Sequence, residues 1–254
     1  MGSPGSAVGS RGSQGFQPGY AGLDGPVPLF HARRLAEEAR QRRGHLTRAP
    51  ALAGILGIGA PELSALLVAG EDWDEAPREN ERPYPLGIPY FTRSANPPTL
   101  VLPERLSPPF RPRTDALLPL TIWHELAHAF LLDREVVRVP AWLGEFAPQA
   151  ASTAVARRVG LTLEEHLGRV DPAPGFTVRG FAGPAGADGQ MRIQNLLLLF
   201  ATAALRRFGK GFVDRLFRAL WAEGDVVGEA RAEGLLANAL RPGRREWLRS
   251  RPGF

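Results

Sequence analysis

The sequence predicts an α+β fold. Short strand-like apolar segments are confined to the region before residue 103, whereas apolar residues recur at helical spacing after residue 115. Strands first and helices afterwards is the layout of a small sheet packed against helices. The 254 residues, 44% of them hydrophobic, suffice for one domain with a sizeable core plus a tail.

Residues 1–28 are rich in Gly and Ser and read as a flexible tail. They lack a basic start followed by an apolar run, so no signal peptide is recognised. No apolar stretch is long enough for a membrane span, and a cytoplasmic location is the expectation. Residues 29–61 are expected to form an accessory helical segment, because Phe30, Leu35 and Ala39 follow helical spacing across 29–43 and the apolar run 49–60 is closed by Pro61 and Glu62. Residues 62–254 form the main domain. Within it, 62–68 is a first strand, the acidic Pro-containing run 71–85 a loop, and 88–92 and 99–102 two further strands joined by 93–98. The principal helix should start near Asp115, with Pro119 tolerated in its first turn, and run to about Asp133. Pro140 suits the start of a second helix, which Pro148 should kink or reset. Further helices are expected over 190–208, closed by Gly209, over 210–222, closed by Gly224, and over 228–240.

The formal net charge of +5 comes from 31 basic and 26 acidic residues, and Lys210 is the single lysine. The arginines (Arg33, Arg34, Arg42, Arg43, Arg111, Arg113, Arg206, Arg207, Arg244, Arg245) are scattered, without interleaved aromatics or a nucleic-acid motif. Solvated faces explain them better than specific nucleic-acid binding. The absence of cysteine excludes disulfides, thiolate ligands and a cysteine nucleophile. Any metal must therefore be held by histidine and carboxylate.

One motif bears on chemistry: His124-Glu125-Leu126-Ala127-His128, an HExxH inside the principal helix. Residues four apart lie on one helix face a turn apart, so both imidazoles can address one metal while Glu125 stands beside the open coordination position. The pattern argues for a zinc hydrolase, with zinc activating water and Glu125 as general base. Catalytic zinc takes three protein ligands. The three-histidine extension is ruled out, because Leu131 and Arg134 occupy the positions where it needs glycine and histidine. A downstream glutamate remains, and Glu145 is the candidate. On one continuous helix it would be far out of reach, so residues 133–139 must reverse the chain and bring a second helix back alongside. Glu135, Glu164 and Asp171 are the competing carboxylates. Trp123 and Trp142 are expected to pack around the site.

HELAH followed by Pro140-Ala141-Trp142-Leu143-Gly144-Glu145 resembles the HExxH and P-x-W-L-x-E of the gluzincin zinc metallopeptidases, specifically the compact bacterial peptidase MA-like domains. Phe208-Gly209-Lys210-Gly211-Phe212 is similar to the helix after that family's Y-G step, and Glu246-Trp247-Leu248 to its C-terminal E-W close. The resemblance covers roughly residues 62–251. It implies a zincin-like fold, a zinc ion held by His124, His128 and Glu145, a peptide or protein substrate, and an open sheet edge, from 88–92 or 99–102, on which an extended peptide pairs. The chain departs from the family after the glutamate, reading Glu145-Phe146-Ala147-Pro148-Gln149, and its three tyrosines, Tyr20, Tyr84 and Tyr90, all precede the motif. Candidates for stabilising an oxyanion are then His166, Arg192 and Asn195. Gln149, four residues after Glu145, is the candidate to orient a metal-bound imidazole. The competing reading is a non-catalytic zinc-binding or scaffold domain that keeps the HExxH site.

Overall fold

In the computed structural model, the described residues are 20–79, 84–106, 114–132, 138–161, 163, 177–181, 187–224, 226–241, 244–251 and 253–254. They form a five-stranded mixed sheet and a set of helices, an α+β arrangement. The strands are β1 (Tyr20–Leu23), β2 (Leu29–Ala32), β3 (Ser64–Val68), β4 (Tyr90–Thr92) and β5 (Thr99–Pro103), in the spatial order β1-β2-β3-β5-β4. The two inner pairings, β2 with β3 and β3 with β5, are parallel, and the flanking pairings of β1 with β2 and β4 with β5 are antiparallel.

The period-two alternation of strand side chains explains how this sheet is held. Ala65, Leu67, Leu100 and Leu102 face the main core under the helices, while Leu66, Val68 and Val101 face a second cluster with Trp73, Ala76 and Tyr90. Both faces are covered, so β3 and β5 are buried at every position. The second face is closed by a 3-10 helix, Gly70–Glu75, whose Trp73 donates its indole N–H to the Tyr84 carbonyl at 2.8 Å, and by Tyr84 stacked on Tyr90.

Two segments differ from the sequence expectation. Residues 20–23, within the expected tail, pair with β2. Residues 29–32, expected to be helical, are the strand β2, and the helix α1 (Ala36–Leu46) starts only after a 3-10 turn at Arg33–Leu35. The alternate burial of Leu29 and His31 satisfies the strand period, and parallel pairing with β3 ties this segment into the sheet. The apolar run after α1 forms α2 (Ala49–Leu56), which stops at Gly57, where φ of +63° requires glycine. Of the two strands proposed as the open edge, β5 is paired on both sides and β4 is the edge.

The remaining helices are α3 (Thr114–Leu132), α4 (Ala141–Arg158), α5 (Ala187–Phe208), α6 (Gly211–Trp221), α7 (Glu229–Leu240) and α8 (Arg245–Arg249). Gly209, with φ of +70°, turns the chain between α5 and α6. The helix α4 is the hub, packing on α3, α5, α2 and α6. From Phe146 to Ala156 it is buried at every position, and a helix buried all round must be apolar or internally satisfied all round. Its polar members comply: Ser152 Oγ and Thr153 Oγ1 both donate to the Gln149 carbonyl, at 3.0 and 2.6 Å.

Two prolines lie inside helices. Pro119 sits beyond the first turn of α3, which begins at Thr114. Pro148 neither ends nor resets α4. A proline in a helix interior forfeits one backbone bond and crowds a carbonyl, at a cost of about 3 kcal/mol. For Pro148, burial of the flanking turns against neighbouring helices offsets that cost, and the crowded carbonyl belongs to Gly144, which has no side chain.

Candidate metal centre

The site is made where α3 and α4 pack side by side. The position of α3 is fixed from behind: Trp123, buried on the face away from the site, donates its indole N–H to the His45 carbonyl at 3.0 Å, at the end of α1. The start of α4 is fixed as well. Trp142 is wholly buried and donates its indole N–H to Glu229 Oε2 at 2.8 Å, while the Val227 amide donates to the Arg138 carbonyl at 2.7 Å. The two tryptophans are thus packing residues that hold the two site-bearing helices, as the sequence suggested.

With both helices held, the spacing of HELAH brings two imidazoles together. Nε2 of His124 and Nε2 of His128 are 3.1 Å apart. Glu145, on the second turn of α4, inserts its carboxylate between them, with Oε2 3.2 Å from His124 Nε2 and Oε1 3.8 Å from His128 Nε2. Ligand atoms about 2.0–2.1 Å from a tetrahedral metal stand roughly 3.4 Å from one another. The three separations straddle that value, so these side chains need little movement to share one ion. Glu125 completes the group, its ligand atoms and those of His124 and His128 all lying within 4.8 Å of one another, and this cluster could hold a metal ion. Glu145 lies within 3.8 Å of both imidazoles and offers one carboxylate oxygen to each.

Solvent reaches the cluster from one side. The side chain of His124 is 5% exposed, against 18% for His128 and 24% for Glu145. Glu125 also keeps partial exposure.

The electrostatics follow from burial and proximity. Burial would raise the Glu145 pKa, but the hydrogen bond from His124, the charge of both histidines and a hydrogen bond from Gln194 override it and bring it down to about 2. Burial pushes the Glu125 carboxyl up to about 8, helped by the nearby Glu145 and opposed by His124. Burial lowers His128 to about 4 despite Glu145, whereas in His124 the bond to Glu145 and the two carboxylates outweigh burial and raise the pKa. These shifts favour an ionised Glu145 against His124, beside a neutral His128.

The other site candidates fall out as follows. Gln149 stands against His124, close enough to help hold a proton on that imidazole; its amide nitrogen donates to Thr153 Oγ1 at 3.3 Å, and His124 Nδ1 is buried without a hydrogen bond of normal geometry among the described residues. From α5, Gln194 reaches the site, its amide nitrogen donating to Glu145 Oε2 at 2.8 Å. Sequence reasoning named Arg192 and Asn195 on the same helix and missed Gln194; Arg192 is exposed. His166, Glu135, Glu164 and Asp171 lie outside the described residues. Tyr90 is committed elsewhere, its buried hydroxyl donating to the Pro77 carbonyl at 3.0 Å on the far face of the sheet.

No protein-family model, curated protein or solved structure matches this chain.

Proposed function

We propose that the protein is a zinc-dependent peptidase of gluzincin type, with a zincin-like fold, that hydrolyses peptide bonds in peptide or protein substrates. The observation that carries this reading is the convergence of Glu145 on the two HELAH histidines, at 3.2 and 3.8 Å. Two imidazoles and one carboxylate, with solvent on one side, make the ligand set of an open catalytic zinc site. Bound zinc supplies Lewis acidity, lowering the pKa of water and polarising a carbonyl.

The chain's own residues supply the rest. His124, His128 and Glu145 hold the ion. Glu125, adjacent to the first ligand and partly open to solvent, accepts a proton from the attacking water on its carboxylate and delivers it to the leaving amine nitrogen. Burial favours the protonated acid in the metal-free site, and added positive charge beside it draws the pKa back towards the range a general base needs. The edge strand β4, against which α3 packs, offers its unpaired backbone to an extended substrate. No helix among the described residues is long and apolar enough to cross a membrane.

The test is cleavage of a peptide library by the zinc-loaded chain, read by mass spectrometry beside Glu125→Gln. Products from the wild type alone support the reading. Stoichiometric zinc without any cleavage would favour the non-catalytic zinc-binding domain.

A further inference from the structure

We infer that Gln194 is a positioning residue for the third ligand, holding the Glu145 carboxylate in the rotation that presents one oxygen to each histidine; this rests on the metal site proposed above. Three observations carry it. Gln194 Nε2 is 2.8 Å from Glu145 Oε2, a full-strength hydrogen bond from a neutral amide to a carboxylate. The same Oε2 faces His124 at 3.2 Å, while Oε1 points to His128 at 3.8 Å, so the bond from Gln194 sets which oxygen goes where. Finally, Gln194 comes from α5, an element that carries none of the three candidate ligands, and α5 is fixed against α4 by the tilted contact of Phe146 with Phe200, 4.9 Å between ring centres.

The physical need for such a residue is clear. The terminal torsion of a glutamate is broad and nearly free, so an untethered carboxylate at the partly open end of the site must be ordered when a cation binds. A histidine ring is placed by two side-chain torsions, a glutamate carboxylate by three. Gln194 pre-orders the one ligand that needs it, and an amide does so without adding a charge that would either compete for the cation or repel it. Partners of this kind contribute roughly 10–100-fold to metal affinity.

The experiment uses the full chain with zinc and, separately, cobalt(II). Zinc affinity is measured by competition with a chromophoric chelator for the wild type, Gln194→Met, which keeps the volume and removes the donor, and Gln194→Ala. Both variants should bind about 10–100-fold more weakly, with a changed visible absorption spectrum of the cobalt form reporting altered coordination. In a Glu145→Ala background Gln194→Met should have almost no further effect, because its action passes through that carboxylate. Near wild-type zinc affinity and an unchanged cobalt spectrum in Gln194→Met would overturn the role of Gln194 while leaving the metal site standing. A wild-type chain that binds no zinc would overturn the site itself, and the inference with it.

Discussion

Oε2 of Glu145 lies 3.2 Å from Nε2 of His124, across the interface of two successive helices. The contact depends on α3 and α4 packing side by side, and the two tryptophan anchors hold each helix in place for it. If the contact is the core of a metal site, removing either side should be costly. A four-ligand zinc site is worth about 10–16 kcal/mol, so each ligand represents about 2.5–4 kcal/mol, of the order of a hundredfold in affinity. His128→Ala is expected to purify without stoichiometric zinc, and Glu145→Ala to bind about a hundredfold more weakly, both checked by metal analysis and chelator competition. Undiminished affinity in Glu145→Ala would move the third ligand to another carboxylate.

Glu125→Gln should separate binding from turnover. The amide fills the same space but cannot take a proton from water, so zinc stays and peptide cleavage drops by about 10²–10⁴-fold. Steady-state kinetics beside metal analysis on the same preparation decide it. A variant that cleaves at near wild-type rate removes Glu125 from the mechanism.

The same residue makes a pH signature in the metal-free protein. Its folded pKa is raised from 4.5 to about 8, so between those values the folded state binds more protons than the unfolded one, and stability falls as pH rises. Glu125→Gln abolishes that dependence. Urea unfolding in the presence of chelator should show the variant gaining on the wild type from about pH 4.5 upward, with the difference levelling off near pH 8. His124 and Glu145 face Glu125 and are present in both proteins; the Glu125 charge helps raise His124, so the variant loses part of that shift as well. A constant difference across that range would contradict the account.

Phe146 follows Glu145 and is wholly buried, with Phe200 at 4.9 Å and Phe212 at 6.5 Å between ring centres. Phe146→Ala leaves a cavity in the packing of α4 on α5 and α6, and a loss of about 3–5 kcal/mol is expected from urea unfolding. A loss under about 1 kcal/mol would mean that this junction does not anchor α4.

What the sequence made legible here is mostly local. The spacing of His124 and His128 needs only helix geometry, and the Gly209 turn needs only the φ of glycine. Glu145 was reachable because Pro140 marks a helix start after a break. The edge segments were hard for a different reason: residues 29–32 hold only four residues of alternation, and Leu35 and Ala39 of the following turns extend Phe30 into an apparent helical period. β1 is as short and contains Gly22, so only its pairing with β2 gives it strand form. Pro148 was read as a kink or restart because a local rule cannot register the tertiary packing that overrides it. Gln194 left a faint signal. It aligns at helical spacing with buried Leu197, Leu198, Ala201 and Leu205, and a polar residue on a buried stripe calls for a partner. Which partner depends on how α5 packs on α4, and single-helix periodicity does not contain that.

The most direct test of the central claim is X-ray absorption at the zinc edge on the purified chain titrated with one equivalent of zinc. The account predicts one tightly bound ion per chain with two imidazole nitrogens and carboxylate oxygen at about 2.0–2.1 Å, and loss of the carboxylate signature in Glu145→Ala. A shell with no imidazole scattering, or a chain that takes up no zinc, would contradict it.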